Sequence, residues 1–267
     1  MKYYVISDPH GFYKETIAAL TKAGFFGDPA PHKLIVCGDM MDRGREACEC
    51  EMQNFMTDLW HRGELIFIRG NHEDLMQDML DHFCEDQINI ARGYSHHVNN
   101  GTWDTALQLA EMTEKQAFGY PDVFVRHAEE SPFVKELIPA SVNYFETEHY
   151  IFVHGWIPCL TEDTPGSYRR HRHYSFDPEW RTAPEEDWAA ARWLNGMELA
   201  KRCGIIEPGK TIVCGHWHTS FGHARYENKG TEFGDDADFS VYKSDGIIAL
   251  DACTAHSGTV NCIVIED

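Results

Sequence analysis

Several short apolar runs in this chain end in loops that carry acidic, amide and imidazole side chains. The runs at residues 3–7, 33–37 and 64–68 are rich in β-branched and aromatic residues, which predicts strands. The loops that follow them read Asp8-Pro9-His10-Gly11, Gly38-Asp39-Met40-Met41-Asp42-Arg43-Gly44 and Gly70-Asn71-His72-Glu73. This pattern favours folds in which several strand ends meet at one site.

Helical patterns separate these predicted strands. Residues 12–23 and 46–61 have the apolar spacing of helices, so the first part of the chain predicts a βαβαβ unit. Right-handed crossovers make the three strands parallel and bring their carboxyl ends to one edge of the sheet. An open α/β sheet places its binding crevice at that edge. The residues expected to meet there are Asp8, His10, Asp39, Asn71 and His72.

Two later apolar runs end in histidines in the same way. Residues 150–153 lead into His154, and residues 211–214 lead into the segment Gly215-His216-Trp217-His218. Five predicted strands thus deliver oxygen and imidazole donors, and Asp39 is central enough in the set to bridge two ions. A mixture of carboxylate, amide and imidazole donors favours manganese, iron or zinc over calcium or a thiolate-bound metal. The sequence therefore predicts a site for two divalent or trivalent metal ions.

As an ordered set, these motifs resemble the calcineurin-like metallophosphoesterase superfamily. The forms Asp42-Arg43-Gly44 and Asn71-His72-Glu73 are similar to its phosphoprotein phosphatase branch, which includes bacterial serine/threonine phosphatases and symmetrical diadenosine tetraphosphate hydrolases. The motifs span residues 8–218, which is most of the chain. The resemblance implies an α/β fold in which two mixed β-sheets pack as a sandwich flanked by helices.

The resemblance also implies roles for individual residues. The implied ligands are Asp8, His10 and Asp39 for the first metal, and Asp39, Asn71, His154 and His216 for the second. A hydroxide shared by both ions would attack phosphorus in line, because two nearby cations lower the pKa of the water between them. His72 would protonate the leaving oxygen, and Asp42 would orient its imidazole. Arg43 would bind phosphate oxygens through its planar guanidinium.

Three further features lie near the motifs. His218 is either an additional ligand of the first metal, as in the wider superfamily, or a solvent-facing histidine beside it. Arg192 lies in the interval from which the branch commonly supplies an arginine, so we expect it to bind substrate phosphate. The segment 97–105 resembles an Asn-Gly-Gly element of the branch, with Thr102 in place of the second glycine. We expect that segment to pack beside the site without contributing chemistry.

The charge of the chain restricts its partners. There are 23 Lys and Arg against 43 Asp and Glu, so the net charge is −20 with histidine neutral. Such a surface repels nucleic-acid backbones, and we expect no nucleic-acid partner. We also expect no membrane partner, because no apolar run approaches the ~20 residues of a membrane helix. The chain opens without a signal-like segment, and its nine cysteines lack metal-finger spacing, which together favour a cytoplasmic enzyme.

These observations predict a single domain over residues 1–267 with a helical insertion around 74–149. The favoured activity is a metal-dependent phosphatase that hydrolyses phosphomonoesters of a phosphorylated protein or a small phosphorylated molecule. A symmetrical diadenosine tetraphosphate hydrolase is the alternative, and Trp103, Trp156 and Trp193 are candidates for its nucleotide groove. The acidic surface disfavours a phosphodiesterase or nuclease. The presence of His72, Asp42 and Arg43 disfavours a non-catalytic, metal-binding interaction scaffold.

Overall fold

A computed structural model of the chain describes residues 1–44, 49–163 and 172–267. Its strands are β1 (Lys2–Ile6), β2 (His32–Cys37), β3 (Leu65–Ile68), β4 (Phe145–Glu146), β5 (Tyr150–Phe152), β6 (Cys159–Asp163), β7 (Arg172–Phe176), β8 (Thr211–Cys214), β9 (Tyr242–Ser244), β10 (Ile247–Ala249) and β11 (Cys262–Glu266). Its α-helices are α1 (Tyr13–Ala23), α2 (Glu49–His61), α3 (Asn71–Ala91), α4 (His96–Asn100), α5 (Thr102–Leu109), α6 (Glu114–Gly119), α7 (Pro121–Glu129), α8 (Ile138–Ala140), α9 (Glu185–Ala191), α10 (Gly196–Glu198), α11 (Thr219–Tyr226) and α12 (Thr254–Ser257). Short 3₁₀ turns occupy Phe25–Gly27 and Trp180–Thr182, and π turns occupy Phe133–Leu137 and Leu199–Cys203.

The first sheet contains the predicted βαβαβ unit. Its strand order is β11-β1-β2-β3, with β1, β2 and β3 parallel and β11 antiparallel to β1. Val5 pairs with Ile35, and Ile35 pairs with Ile66, so the three parallel strands end at the same edge. The prediction of three parallel strands is confirmed. The first residues of the predicted helix 46–61 lie outside the described residues, and α2 continues to its predicted end.

The second sheet has the strand order β4-β5-β8-β10-β9. Its three central strands are parallel, and the short edge strands β4 and β9 run antiparallel to them. Strands β6 and β7 form a separate antiparallel hairpin in which Cys159 pairs with Phe176. The parallel strands β5 and β8 end directly before the loops that contain His154 and His216, as predicted.

The two sheets pack face to face because their strands are apolar on both sides. Tyr3 and Val5 of β1 point into a layer that also contains Phe152 and Val213 of the second sheet. The alternate residues of β1, such as Ile6, point to the other side and pack against helices. A further apolar layer covers the outer face of the second sheet. Full burial of one such side chain contributes about 1.5–3 kcal/mol to stability.

The chain between β3 and β4 is almost entirely helical, from α3 to α8. These helices contribute Met76, Phe83, Trp103 and Phe124 to the layer on the outer face of the first sheet. β4 falls inside the interval 74–149, and its two residues are too few to produce a strand pattern in the sequence. Among the described helices, none combines the length and the apolar character that crossing a bilayer requires.

Candidate active site

The loops after β1, β2, β5 and β8 converge, and backbone hydrogen bonds hold them together. The amide of His10 donates to the Asp39 carbonyl at 3.1 Å, and the amide of His216 donates to Asp8 Oδ2 at 3.0 Å. The Gly215 amide donates to the His154 carbonyl at 2.8 Å. A Cβ atom at Gly215 would overlap the Asp8 carboxylate, so only glycine allows this close approach. The two sheets therefore share one loop cluster at their carboxyl edges.

Many residues of this cluster have left-handed backbone conformations. Positive φ angles are unfavourable for residues other than glycine, because their Cβ atom crowds the neighbouring carbonyl oxygen. The site residues with positive φ are Asp8 (51°), His10 (46°), Asp39 (52°), Asp42 (76°), Arg43 (67°) and His216 (66°). The surrounding hydrogen bonds and packing hold these conformations in place.

Asp39 lies between two groups of candidate metal ligands. Its Oδ1 is 3.3 Å from Nε2 of His154, whereas its Oδ2 is 3.9 Å from Nε2 of His10 and 3.8 Å from Nε2 of His72. Asp39 belongs both to the group with His10 and His72 and to the group with His154 and His216. One carboxylate oxygen thus faces each group, which is the arrangement a bridging ligand needs.

The orientation of the histidines leaves nitrogen atoms available for metal. Nδ1 of His10 lies 3.0 Å from the Met41 carbonyl, and Nδ1 of His154 lies 2.8 Å from the Cys37 carbonyl. A carbonyl only accepts hydrogen bonds, so each Nδ1 carries the proton and each Nε2 keeps a lone pair. His154 Nε2 also lies 2.8 Å from Asn71 Oδ1, which places the amide oxygen beside the same position.

The electrostatics of the cluster suit bound cations. Burial, assisted by neighbouring positive charge, holds the pKa of His10 and of His154 well below the usual range and lowers the pKa of His216 to about 4. These imidazoles are therefore neutral at physiological pH and able to act as ligands. Burial and repulsion between carboxylates raise the pKa of Asp8 and of Asp39 well above the usual range. Two cations would relieve that repulsion, and this donor set fits manganese, iron or zinc.

Asp8 makes its own contacts at the edge of the cluster. Its Oδ2 accepts hydrogen bonds from the Ser7 hydroxyl and from the His216 amide. Its carboxylate is also close enough to Asp39 to contribute to the raised pKa of that residue. The predicted ligands of both metals are therefore grouped around Asp39, with Asp8 on the side of the loop that contains His216.

A hydrogen-bonded dyad lies next to Asp39. His72 Nδ1 is 2.7 Å from Asp42 Oδ2, and both side chains are about 2% exposed. Because Nδ1 faces a carboxylate, Nε2 is the nitrogen that faces the cleft. Arg43 Nη2 lies 3.5 Å from that Nε2. The structure thus brings together the three residues predicted to act on the leaving group and the phosphate.

Thr102 extends this dyad. Its hydroxyl donates to Asp42 Oδ2 at 2.8 Å, and the preceding Gly101 packs directly against the backbone of Arg43. The expectation that the segment 97–105 packs beside the site is therefore correct, but Thr102 does more than pack. The sequence signal for this contact was the departure from the Asn-Gly-Gly element, which places a hydroxyl where the branch has none.

Glu73 is a residue of the candidate site that sequence reasoning left without a role. Its carboxylate accepts hydrogen bonds from the amides of Gly70 at 2.7 Å, Asp39 at 3.0 Å and Met40 at 3.0 Å. Three donated bonds from two different loops fix the position of Asp39 relative to the start of α3. Glu73 is the third residue of that helix, where a glutamate commonly turns back to cap the amides before it. The position of Glu73 three residues after Gly70 was the sequence signal for this capping role.

Asp251 is a second residue missed by sequence reasoning. It follows β10, is 7% exposed and lies in the same cleft of about 100 Å³ as Asp39, Arg43 and Trp193. Burial raises the pKa of its carboxyl to about 6, and the Cys253 amide donates to it at 2.7 Å. Applying the strand-end rule to residues 246–251 would have found it.

Two predicted site residues are paired with other side chains, although one of them, His218, still lines the cleft that contains Asp39 and His216. Nδ1 of His218 is 2.7 Å from the Ser220 hydroxyl and its Nε2 is 3.5 Å from Glu232 Oε1, so it stands outside both ligand groups around Asp39. Arg192 is 3% exposed, and its Nη1 is 2.7 Å from Asp74 Oδ2. A metal-binding role for His218 and a phosphate-binding role for Arg192 stay predictions, and neither placement favours them.

The comparisons with known proteins agree with this geometry. The chain belongs to the calcineurin-like phosphoesterase family, whose model matches residues 1–220. It is therefore a phosphoric ester hydrolase of a family that uses a dinuclear metal centre, and the two groups that share Asp39 are the candidates for that centre. Among individual proteins, it is similar to the asymmetrical bis(5'-nucleosyl)-tetraphosphatase PrpE of Bacillus velezensis, with 26% identity over 92% of this chain and 98% of that protein.

Two further likenesses were found. PrpE of Bacillus subtilis, also named an asymmetrical bis(5'-nucleosyl)-tetraphosphatase, is 27% identical over 49% of this chain and 51% of that protein. The solved structure of a point mutant of a cold-active protein tyrosine phosphatase matches 100% of this chain and 75% of its own, with 15% identity and a TM-score of 0.51. At that identity the likeness concerns the fold alone, and it confirms the predicted two-sheet sandwich.

Proposed function

We propose that this chain is a two-metal phosphohydrolase that cleaves dinucleoside tetraphosphates asymmetrically. The observation that carries the proposed reaction is the position of Asp39 between His10 on one side and His154 and His216 on the other, beside the His72–Asp42 dyad. In this proposal Asp8, His10 and Asp39 would hold one ion, and Asp39, Asn71, His154 and His216 would hold the other. When bound, the ions supply positive charge for phosphoryl oxygens and lower the pKa of the attacking water.

The dyad supplies the proton for the leaving group. The attacking water loses a proton to the solvent as its oxygen bonds to phosphorus. As the bond to the leaving oxygen breaks, Nε2 of His72 gives its proton to that oxygen. Asp42 stabilises the protonated imidazole and fixes its direction, since it accepts from Nδ1 on the opposite side of the ring. The fully buried position of both side chains keeps bulk water from competing for the proton.

Arg43 is placed to bind phosphate on the substrate side. Its side chain is exposed at the boundary between the metal cleft and an adjoining cavity of about 690 Å³, and it lines both. A guanidinium presents paired donors that match two phosphate oxygens, which a point charge does not. With a net charge of −20, the surface of the protein does not attract phosphates at long range. Substrate affinity therefore depends on short-range contacts of this kind.

The substrate class rests on aromatic side chains on both sides of Arg43. Trp193 is 49% exposed and lies in the metal cleft, whereas Trp103 and Trp156 are buried in apolar layers at 3% and 1% exposure. Phe12 lines the adjoining cavity, whose volume is typical of small-molecule sites, about 300–1,000 Å³. A base stacked on an aromatic ring gains about 1–3 kcal/mol. A phosphate chain across Arg43 with one base at each aromatic residue fits this arrangement, and the likeness to PrpE supports it.

A second candidate is hydrolysis of phosphomonoesters, such as those of phosphoproteins. The observation that favours it is the dyad itself, because an alkoxide leaving group requires a proton donor more than a nucleotide phosphate does. Arg43 and the metal site would bind a single phosphate equally well. In this case the cavity beside Arg43 would accept the residues that flank the phosphate.

One set of assays separates the candidates. Purified enzyme with Mn²⁺ is given diadenosine tetraphosphate, p-nitrophenyl phosphate, a phosphoserine peptide and a phosphotyrosine peptide, and kcat/KM is compared. We expect the highest kcat/KM for diadenosine tetraphosphate, with ATP and AMP as products. Two ADP molecules would mean symmetrical cleavage. A higher kcat/KM for either peptide would replace this proposal with the phosphomonoester function.

A further inference from the structure

A second histidine-containing cluster lies on α3 and α4, outside the strand-end cleft. It consists of Asp78 on α3 and of His96 and His97 on α4, each of which offers one ligand atom within 4.8 Å of the others. None of these residues belongs to the motifs assigned to the two-metal site. Carboxylate and imidazole donors of this kind are typical ligands of zinc and related divalent transition metals.

The distances match those around a single ion. His97 Nε2 is 3.2 Å and His96 Nε2 is 3.8 Å from the same oxygen of Asp78, Oδ2. Ligands bound tetrahedrally at about 2.0–2.1 Å from zinc lie about 3.3 Å from one another. The two imidazole rings are adjacent, with centroids 3.9 Å apart. Small side-chain movements would therefore place all three atoms around one ion.

Asp78 and His97 have different surroundings. His82 Nδ1 lies 3.0 Å from the Asp78 carbonyl oxygen and 3.2 Å from the other carboxylate oxygen of Asp78, Oδ1, so Oδ2 is the oxygen that faces the two histidines. The side chain of His97 is 3% exposed, and its Nδ1 has no hydrogen-bond partner among the described residues. No hydrogen bond to Nδ1 therefore directs the ring away from Asp78.

The surroundings are acidic and provide room for a hydrated ion. A cavity of about 330 Å³ adjoins the three residues, and Glu85 and Asp86 line it together with Asp78. Its described lining contains no Lys or Arg. Burial and the neighbouring His96 lower the pKa of His97, which keeps its imidazole neutral and its lone pair available.

We propose that Asp78, His96 and His97 bind one divalent transition-metal ion of the zinc class, at a site separate from the two-metal centre. The open side of the site faces the acidic cavity, where water completes the coordination. The ion would tie α3 to α4. Both helices lead into the active site, because α3 begins at Asn71 and α4 is followed by Gly101 and Thr102. The site therefore braces α4, the helix that directly precedes Gly101 and Thr102.

Another exposed group offers a useful contrast. Glu148, His149 and Asp267 also have ligand atoms within 4.8 Å of one another. There, however, both oxygens of Asp267 are already hydrogen-bonded by His149, Oδ1 to Nδ1 at 2.5 Å and Oδ2 to the backbone amide at 2.8 Å, and Glu148 is 84% exposed. An ion would have to displace that pair, so we expect no zinc at this group. His149→Ala is thus a matched control for the loss of a surface histidine.

The test measures metal content and thermal stability in the full-length enzyme. Wild type, His96→Ala, Asp78→Asn and His149→Ala are loaded with Mn²⁺, equilibrated with equal free Zn²⁺, and analysed for zinc per chain and for Tm. His96 and Asp78 are 59% and 51% exposed, so their replacement leaves the core intact. Zinc that enters the two-metal centre does so equally in all four proteins. The difference in zinc per chain between two of these proteins therefore reports only the proposed site. Hydrolysis of p-nitrophenyl phosphate, measured for each protein before zinc is added, shows that the protein is folded.

We expect wild type and His149→Ala to bind one more zinc per chain than His96→Ala and Asp78→Asn. We also expect Zn²⁺ to raise Tm more in the first pair than in the second. Equal zinc uptake in wild type and His96→Ala, in proteins that all hydrolyse p-nitrophenyl phosphate, would overturn the proposal.

Discussion

The hydroxyl of Thr102 donates a 2.8 Å hydrogen bond to Asp42, at the same carboxylate oxygen that lies 2.7 Å from Nδ1 of His72. Asp42 Oδ1, in contrast, has no hydrogen-bond partner among the described residues. The position of the carboxylate that orients His72 therefore depends on a residue 60 positions later in the chain. Thr102 acts through Asp42, and so it is a positioning residue.

Removing this hydroxyl tests the arrangement. We expect Thr102→Val to lower kcat about 10-fold on a phosphoserine peptide, which corresponds to about 1.4 kcal/mol, because a buried hydrogen bond to a charged group contributes about that much. The loss on p-nitrophenyl phosphate should be smaller, and KM should change little. Thr105→Val is the matched control, since Thr105 is buried on the same helix but bonds to the Gly101 carbonyl. Equal effects of the two substitutions would argue for a purely structural role of Thr102.

The bridging position of Asp39 predicts a coupled loss of metal and activity. We expect Asp39→Asn to reduce activity by at least about 100-fold and to remove one or both ions, because the amide lacks the charge that both ligand groups share. Metal analysis beside a rate assay measures both effects. Asp104→Asn, which changes one carboxylate in the neighbouring cavity, is the control. Near-normal activity of Asp39→Asn would contradict the two-metal assignment.

His72 separates proton donation from metal binding. We expect His72→Asn to retain the metals of the wild type and to lower kcat by about 100-fold or more on substrates with poor leaving groups. The loss should be much smaller on p-nitrophenyl phosphate, whose phenolate leaves without a proton. Rates on both substrates and metal content are measured on the same preparation. A uniform loss on all substrates would assign His72 to something other than leaving-group protonation.

Arg43 is predicted to bind the phosphate that is attacked or its neighbour. We expect Arg43→Lys to lower kcat/KM about 10-fold, or about 1.4 kcal/mol, because lysine cannot contact two phosphate oxygens in one plane. Inhibition by inorganic phosphate should weaken in parallel, with metal content unchanged. Arg192→Lys is the comparison, since its guanidinium is paired with Asp74 and Glu185. We expect it to lower Tm and leave phosphate inhibition unchanged, and weakened inhibition would restore the predicted substrate role of Arg192.

An ion-pair network at the edge of the second sheet predicts a dependence of stability on pH. Hydrogen bonds from Arg181, with help from Lys210, lower the pKa of Glu146 from 4.5 to about 2. A carboxyl whose pKa is depressed in the folded state contributes stability above pH 4.5, and that contribution is lost as the pH falls towards 2. We therefore expect Glu146→Gln to lower Tm at neutral pH and to flatten the decline of Tm below pH 4.5. The exposed Glu148→Gln should follow the wild-type curve, and a parallel decline in Glu146→Gln would refute the assignment.

The first sheet and the ligand loops were predictable because their signals are local. An apolar run followed by Asp, Asn or His indicates the end of a parallel strand. This signal was sufficient to predict that Asp8, Asp39 and His154 lie at the strand ends. Strands β4 and β9 were not predicted, because two or three residues at a sheet edge show no period. The departure at Thr102 indicated an unusual hydroxyl, but its partner Asp42 could not be predicted, since the contact joins segments 60 residues apart. The direction of His218 depends on Ser220 and Glu232, which the local motif does not specify.

The left-handed backbone at Asp8, His10, Asp39, Asp42, Arg43 and His216 has a consequence for how this chain can change. Left-handed conformations cost residues other than glycine roughly 1–2 kcal/mol each, so glycine would be tolerated more easily at every one of these positions. A glycine there would relieve the backbone but lose the side chain, so any stability gained at these positions would come at the expense of the proposed chemistry. Substitutions meant to raise the thermal stability of this protein are better placed away from the strand ends.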